Sequence, residues 1–189
     1  MNDEPAELQR RTLLQMAAGL VAVTALGTAA PAKAAAVPPK PTGKPGDFNF
    51  LSGSWKIKHR QMKNGKWDTF EGEATVYGIL GGIASIEELR IPARNFSGMG
   101  LRLLDVEKKL WADYWVNSKS GVLTPPAAVG SFVDGVGIWD FDEEDAGKPV
   151  IVRGVWDEIT PKSCRWYQAL SRDDGKTFEK SWIMEWSKV

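Results

Sequence analysis

From Gly53 to Ser187 the chain alternates with a period of two, which restricts it to folds built from half-buried strands. Trp55, Ile57 and His59 alternate with Lys56, Lys58 and Arg60, and Asn64-Gly65 supplies a hairpin turn. Phe70, Gly72, Ala74 and Val76 alternate with Glu71, Glu73 and Thr75; Gly81-Gly82 then breaks the chain before the run Ile83–Ile91. Met99, Leu101 and Leu103 alternate with Gly100 and Arg102, and Leu110–Val116 comes next. Val129–Val133 and Val136–Phe141 flank Asp134-Gly135, and the acidic run Asp140–Asp145 reads as a solvated turn across a hairpin. Val150–Asp157 and Ser163–Leu170 follow, and Asp173-Asp174-Gly175 leads into Thr177–Ser187. These are ten strands whose connections are mostly too short for crossover helices, so neighbours should pair antiparallel in chain order.

The expected fold is therefore all-β: an antiparallel meander of about ten strands. Closure into a barrel removes its vulnerable edges, and a barrel of this size can hold one small ligand. An open sandwich is the alternative.

Composition narrows the chemistry. The 24 Lys+Arg balance the 24 Asp+Glu, so there is no electrostatic footprint for nucleic acid or an anionic membrane. One His and one Cys exclude an intramolecular disulfide and a zinc site built mainly from those residues within one protomer. No metal is expected. The nine Trp, seven Phe and three Tyr all follow Asp47, so the chain changes character there.

Before that point, Arg10-Arg11 precede an apolar run from Met16 to Ala30 that ends at Ala32-Lys33-Ala34, a small-x-small cleavage site. The run is too short to span a bilayer permanently. Residues 1–34 read as a cleavable export signal, with a pattern resembling the twin-arginine type and the general secretory route as the alternative. Residues 35–46 carry Pro38, Pro39, Pro41 and Pro45 and are expected to form an extended, solvated linker. Residues 47–189 form the single domain, periplasmic or secreted, with no membrane contact after cleavage.

The segment Asp47–Trp55 resembles the start of a calycin barrel, in which a short helical turn and a Gly-x-Trp motif, here Gly53-Ser54-Trp55, plug one end. The remainder is similar to an uncharacterised bacterial family of lipocalin-like or nitrobindin-like domains. That similarity rests on Leu80-Gly81-Gly82, Ile86–Leu89, Trp111–Asn117, Gly130-Ser131-Phe132, Arg165–Gln168, Asp174-Gly175 and Trp182–Glu185. The resemblance implies the barrel and its plug, and no activity. Its nitrobindin side raises haem, whose iron would need His59, Cys164, a Met or a Tyr as axial ligand. The glycine-rich haem-wall motif is not matched, and no resident cofactor is expected.

If the plug places the Trp55/Ile57 face inward, His59 lies on it, about 13 Å above the plug at roughly 3.3 Å per residue. Trp182, on the Phe178/Trp182/Met184/Trp186 face of a last strand closing against the first, should lie near it. His59 could orient a ligand or act as a general acid or base, or be an interior His without chemistry. Cys164, two strand spacings from His59, reads as a buried structural thiol. Only one of Glu87 and Glu88 can face inward. Ala84 and Ile86 favour Glu88, Ile83 and Leu89 the opposite phase, and Arg102 or Arg153 could pair with the inward carboxylate. Trp55, Trp166, Trp182 and Trp186 share inward faces, and Trp111 or Trp115 could join them.

The expected function is binding of a small hydrophobic or aromatic molecule in the lumen, with His59, Trp115, Gln168 and Trp182 as binding residues. The first alternative is a small barrel enzyme (lyase, isomerase or hydrolase) using His59 and a lumen carboxylate, Glu88, for proton transfer. The second is an accessory barrel that offers its exterior to a partner. Oligomeric state is not readable from the sequence.

Overall fold

The computed structural model describes residues 38–123, 127–145 and 147–189. The export signal read at 1–34 lies outside the described residues. Ten strands follow one another: β1 Gly53–Lys63, β2 Lys66–Ile79, β3 Ala84–Ile91, β4 Phe96–Asp105, β5 Leu110–Asn117, β6 Ala128–Val133, β7 Val136–Asp145, β8 Lys148–Asp157, β9 Ser163–Ser171 and β10 Glu179–Lys188. Each pairs antiparallel with its sequence neighbours, and β10 pairs with β1 to close the barrel. The sandwich alternative is excluded.

The described residues contain almost no helix. Single 3-10 turns occur at Asn49–Leu51, Leu80–Gly82 and Pro92–Arg94. The first of these, with Gly53-Ser54-Trp55, plugs the end at which β1 begins. Gly53 has φ +124°, a conformation that a β-carbon disfavours, and this lets the chain turn from the 3-10 segment into β1. Trp55 is buried and its indole N–H donates to the Leu51 carbonyl at 2.7 Å. Phe48 completes the plug, its ring edge-on to Trp111 at 4.9 Å and to Phe132 at 5.1 Å.

The segment expected to be a solvated linker is part of this closed end from Lys40 onward. The Lys40 carbonyl accepts from the Ser131 hydroxyl, Thr42 Oγ1 donates to the Phe132 carbonyl at 2.7 Å, and Gly43 N donates to the Lys109 carbonyl at 2.8 Å. Gly46 N reaches the Gly82 carbonyl at 2.9 Å, and the Trp111 indole donates to Asp47 at 3.1 Å. Prolines suit such a strap. They set an extended path, and of the backbone donors that remain, those of Gly43 and Gly46 find partners on the barrel.

Three further details differ from the alternation read in the sequence. In β4 the buried phase is Phe96, Gly98, Gly100, Arg102 and Leu104, while Leu103 is exposed. The acidic run Asp140–Asp145 is strand rather than turn, since β7 continues to Asp145. A register shift between Lys180 and Trp182 takes Phe178 off the inward phase of β10, and its ring lies under the Arg153 guanidinium at 3.8 Å.

The inward glycines of β4 belong to a wider arrangement. A β-carbon on Gly98 would lie 2.2 Å from the Trp115 ring, and one on Gly72 would lie 2.6 Å from His59 Nε2. One on Gly130 would lie 2.6 Å from the Trp139 ring. Large rings thus lie across glycines of the neighbouring strand. The lumen holds its rings because the wall facing them is bare backbone.

Candidate functional site

The site is the barrel interior above the plug. Two polar groups of residues interrupt its apolar lining.

The upper group centres on His59. Period-two alternation carries its side chain inward with Trp55 and Ile57, and it is 0% exposed. Its Cα is opposite Phe70 on β2 and Met184 on β10. The Phe70 ring stacks on the imidazole, 4.7 Å between centroids and 6° between planes. The Trp182 indole N–H donates to His59 Nδ1 at 3.2 Å. An accepting Nδ1 leaves the proton of a neutral imidazole on Nε2, so Trp182 fixes the tautomer. Gln61 and Gln168 are buried near the same end. Gln61 is opposite Trp182, and Gln168 donates through Nε2 to Ser181 Oγ at 3.2 Å. Trp166 meets Trp182 edge-on at 6.0 Å. Trp115 stacks on Phe96 at 6.3 Å and is only partly buried.

The lower group centres on Arg102. Glu87, not Glu88, is the inward carboxylate of β3, and it accepts a hydrogen bond from Arg102 Nη2. Glu88 is exposed and pairs outside with Arg90 at 2.6 Å. The phase is set by Ser85, Glu87, Leu89 and Ile91, which are all buried, whereas the apolar Ile86 is on the outward phase. Of the two arginines considered as partners, Arg153 instead pairs outside with Asp140. Asp113 adds a second carboxylate, 3.7 Å from Arg102 Nε. Burial disfavours the Arg102 cation, but Glu87 and Asp113 more than offset it and hold the group above its ordinary pKa.

Cys164 is buried opposite Trp186, which lies next to Trp156 with ring centroids 5.4 Å apart. Burial first, then the Glu87 carboxylate, push its thiol up to about 12. It is at the level of Ile57, two strands away, while His59 is level with Met184 and Trp166. That separation, about 10 Å, is too great for a nucleophile–base pair.

The interior is not sealed throughout. Phe70, Asp113 and Trp115 face inward yet remain partly exposed. Among the described residues the β5–β6 ladder contains three pairs, the last of them Asp113↔Ala128, and Val116 makes an isolated bridge to Leu123.

Neither His59 nor Cys164 fits an axial haem ligand. His59 Nδ1 is taken by Trp182, the ring face is covered by Phe70, and the Nε2 edge lies against Gly72. Cys164 stays a protonated thiol among aromatic rings. Among the described residues no group of three or more His, Cys, Asp or Glu is arranged to hold a metal ion. Among them, too, no helix is long and apolar enough to cross a membrane.

Sequence reasoning thus brought His59 and Trp182 together and put Trp115 and Gln168 on inward faces. It missed the buried Arg102–Glu87 pair as an assembled unit, along with Ser85 and Gln61. The signal for Arg102 was present: an arginine that shares a strand face with two glycines, Gly98 and Gly100, has bare backbone beside it to lie across.

No protein-family model matches the chain, and no curated protein matches it. Among solved structures it is similar to Rv2717c from M. tuberculosis, at 12% identity and a TM-score of 0.48, covering 76% of this chain and 97% of that one. It is also similar to a protein of unknown function from the DUF3598 family of Nostoc punctiforme, at 11% identity and a TM-score of 0.43. That match covers 78% of this chain and 51% of the other.

Proposed function

We propose that the protein binds a small hydrophobic or aromatic molecule inside its barrel. One observation carries the reading. An imidazole of fixed tautomer, held by Trp182 Nε1 at 3.2 Å, is embedded among aromatic rings beside inward side chains that remain partly accessible. Indole and phenyl rings supply apolar contact area, and a few placed polar groups orient the ligand. The short helical turn and Gly53-Ser54-Trp55 plug support a calycin-like barrel of the lipocalin kind. The N-terminal pattern supports export to the periplasm or beyond by the twin-arginine route.

The enzyme alternative gains less support. Its candidate carboxylate, Glu88, is on the outside, and the inward Glu87 is committed to Arg102. Native mass spectrometry of protein purified from its own periplasm tests the proposal. A retained small apolar species, lost in Trp182→Ala, is the expected result. Bare protein whose lumen tryptophans are also not quenched by ethylnaphthalene would overturn it.

A further inference from the structure

The lower polar group carries more hydrogen-bond donors than the described residues satisfy. Arg102 is 3% exposed, and its Nη1 has no hydrogen-bond partner among the described residues; its Nε has only the long 3.7 Å approach of Asp113. Ser85 Oγ and Trp186 Nε1 are equally buried and also without a partner among the described residues. The three belong to one neighbourhood. Ser85 is the Cα partner of Arg102, and the guanidinium carbon is 5.4 Å from the Trp156 ring, against which Trp186 packs. Buried donors left unmade cost about 1–3 kcal/mol each, so this clustering needs a physical reason.

Charge restricts what can satisfy them. One guanidinium already faces two carboxylates, Glu87 in contact and Asp113 beside it. An anionic head group would bring a third negative charge beside the one buried cation among the described residues. A neutral acceptor adds none. Asp113 is the partly accessible member of this group, its side chain 27% exposed.

We infer that the layer formed by Arg102, Ser85 and Trp186 recognises a neutral carbonyl on an otherwise apolar ligand, such as a ketone, ester or amide, and discriminates against the matching carboxylate. This rests on the ligand-binding reading above and deepens it. The carbonyl oxygen accepts from Arg102 Nη1, with Ser85 Oγ and Trp186 Nε1 as the other donors of the layer.

Three naphthalene probes of similar shape test it by tryptophan fluorescence titration of the mature protein: naphthyl methyl ketone, ethylnaphthalene and naphthoate. The ketone is expected to bind at least tenfold more tightly than the other two. Its isotope-labelled carbonyl stretch should shift to lower frequency on binding, and the shift should shrink in Ser85→Ala and Trp186→Phe. These mild variants leave the Arg102–Glu87 pair intact. Equal binding of ketone and ethylnaphthalene with an unshifted carbonyl would overturn this inference and leave apolar binding standing; water would then be the group these donors serve. Naphthoate binding as tightly as the ketone, or more tightly, would overturn it as well. Binding of none of the three would remove the ligand-binding reading itself, and this inference with it.

Discussion

Trp182 donates its indole N–H to His59 across the seam where the last strand closes on the first, bridging residues 123 positions apart in the chain. The bond does two things. It ties the closure of the barrel to a side-chain contact in the lumen, and it orients the only imidazole in the molecule.

This pair gives the first prediction. Because there is one His, its nitrogen resonances are unambiguous, and the Nε2–H tautomer should dominate in the native protein. Trp182→Phe removes the donor and should let the Nδ1–H form appear. Trp182→Ala also removes packing area and should weaken binding of an apolar lumen ligand at least tenfold, which requires only about 1.4 kcal/mol. His59→Phe should change ligand preference while leaving apolar binding largely intact. A native tautomer with the proton on Nδ1 would contradict the arrangement.

The second prediction concerns the bare wall. Gly98→Ala places a methyl 2.2 Å from the Trp115 ring, so the ring or the strand must move. Overpacking of this kind costs about 1–3 kcal/mol. Gly147→Ala has no close contact to relieve and serves as a partial control, because its φ of +77° adds backbone strain alone. Urea melts should show Gly98→Ala destabilised together with a changed Trp115 emission. An unchanged midpoint would mean that ring and strand have slack here.

How much of this was legible beforehand depends on which forces act locally. Alternation gave the ten strands and the inward phase of β1, because Trp55, Ile57 and His59 face charged Lys56, Lys58 and Arg60. The phase of β3 was not legible from Ile83, Ala84 and Ile86, since the choice between Glu87 and Glu88 is made by a long-range partner, Arg102 on β4. Residues 40–46 read as a linker for a similar reason. Proline content describes a path, and whether that path is held against the barrel depends on acceptors at Phe132 and Lys109 far along the chain. Phe178 was misplaced by a single extra residue near Ser181, since one bulged residue inverts every face before it.

Cys164 supplies the third prediction, through pH. Its folded pKa is raised to about 12 from the ordinary 9.0, with burial as the leading cause and the Glu87 carboxylate next. The unfolded thiol therefore ionises first as pH rises, so the unfolded state loses its proton while the native state keeps it. The stability associated with this group is fully present below about pH 9 and is lost between there and about pH 12. The slope approaches about 1.4 kcal/mol per pH unit. Measured as wild type minus Cys164→Ala, which subtracts the titration of lysines and tyrosines, the difference should fall with that sign. Alkylation of the native thiol should also be slow at neutral pH. Rapid modification under native conditions would show that the thiol is neither buried nor protonated.

The Arg102–Glu87 pair gives the last prediction, because single and paired substitutions should disagree. Each side chain is almost completely buried, so removing one leaves the other charge without its partner. Breaking a buried pair in this way costs about 3–5 kcal/mol, and Arg102→Met should fall in that range. Glu87→Gln should cost less, since the amide oxygen can still accept from Arg102 and Asp113 still balances the cation. The double variant Glu87→Leu with Arg102→Met removes both charges and keeps most of the volume. It should be more stable than Arg102→Met alone. Stabilities from urea melts would form the cycle, and additive losses across it would show that the two groups do not interact. If the carbonyl reading of this layer holds, the double variant should also lose the preference for a ketone over a hydrocarbon while still binding both. The pair would then serve recognition more than stability.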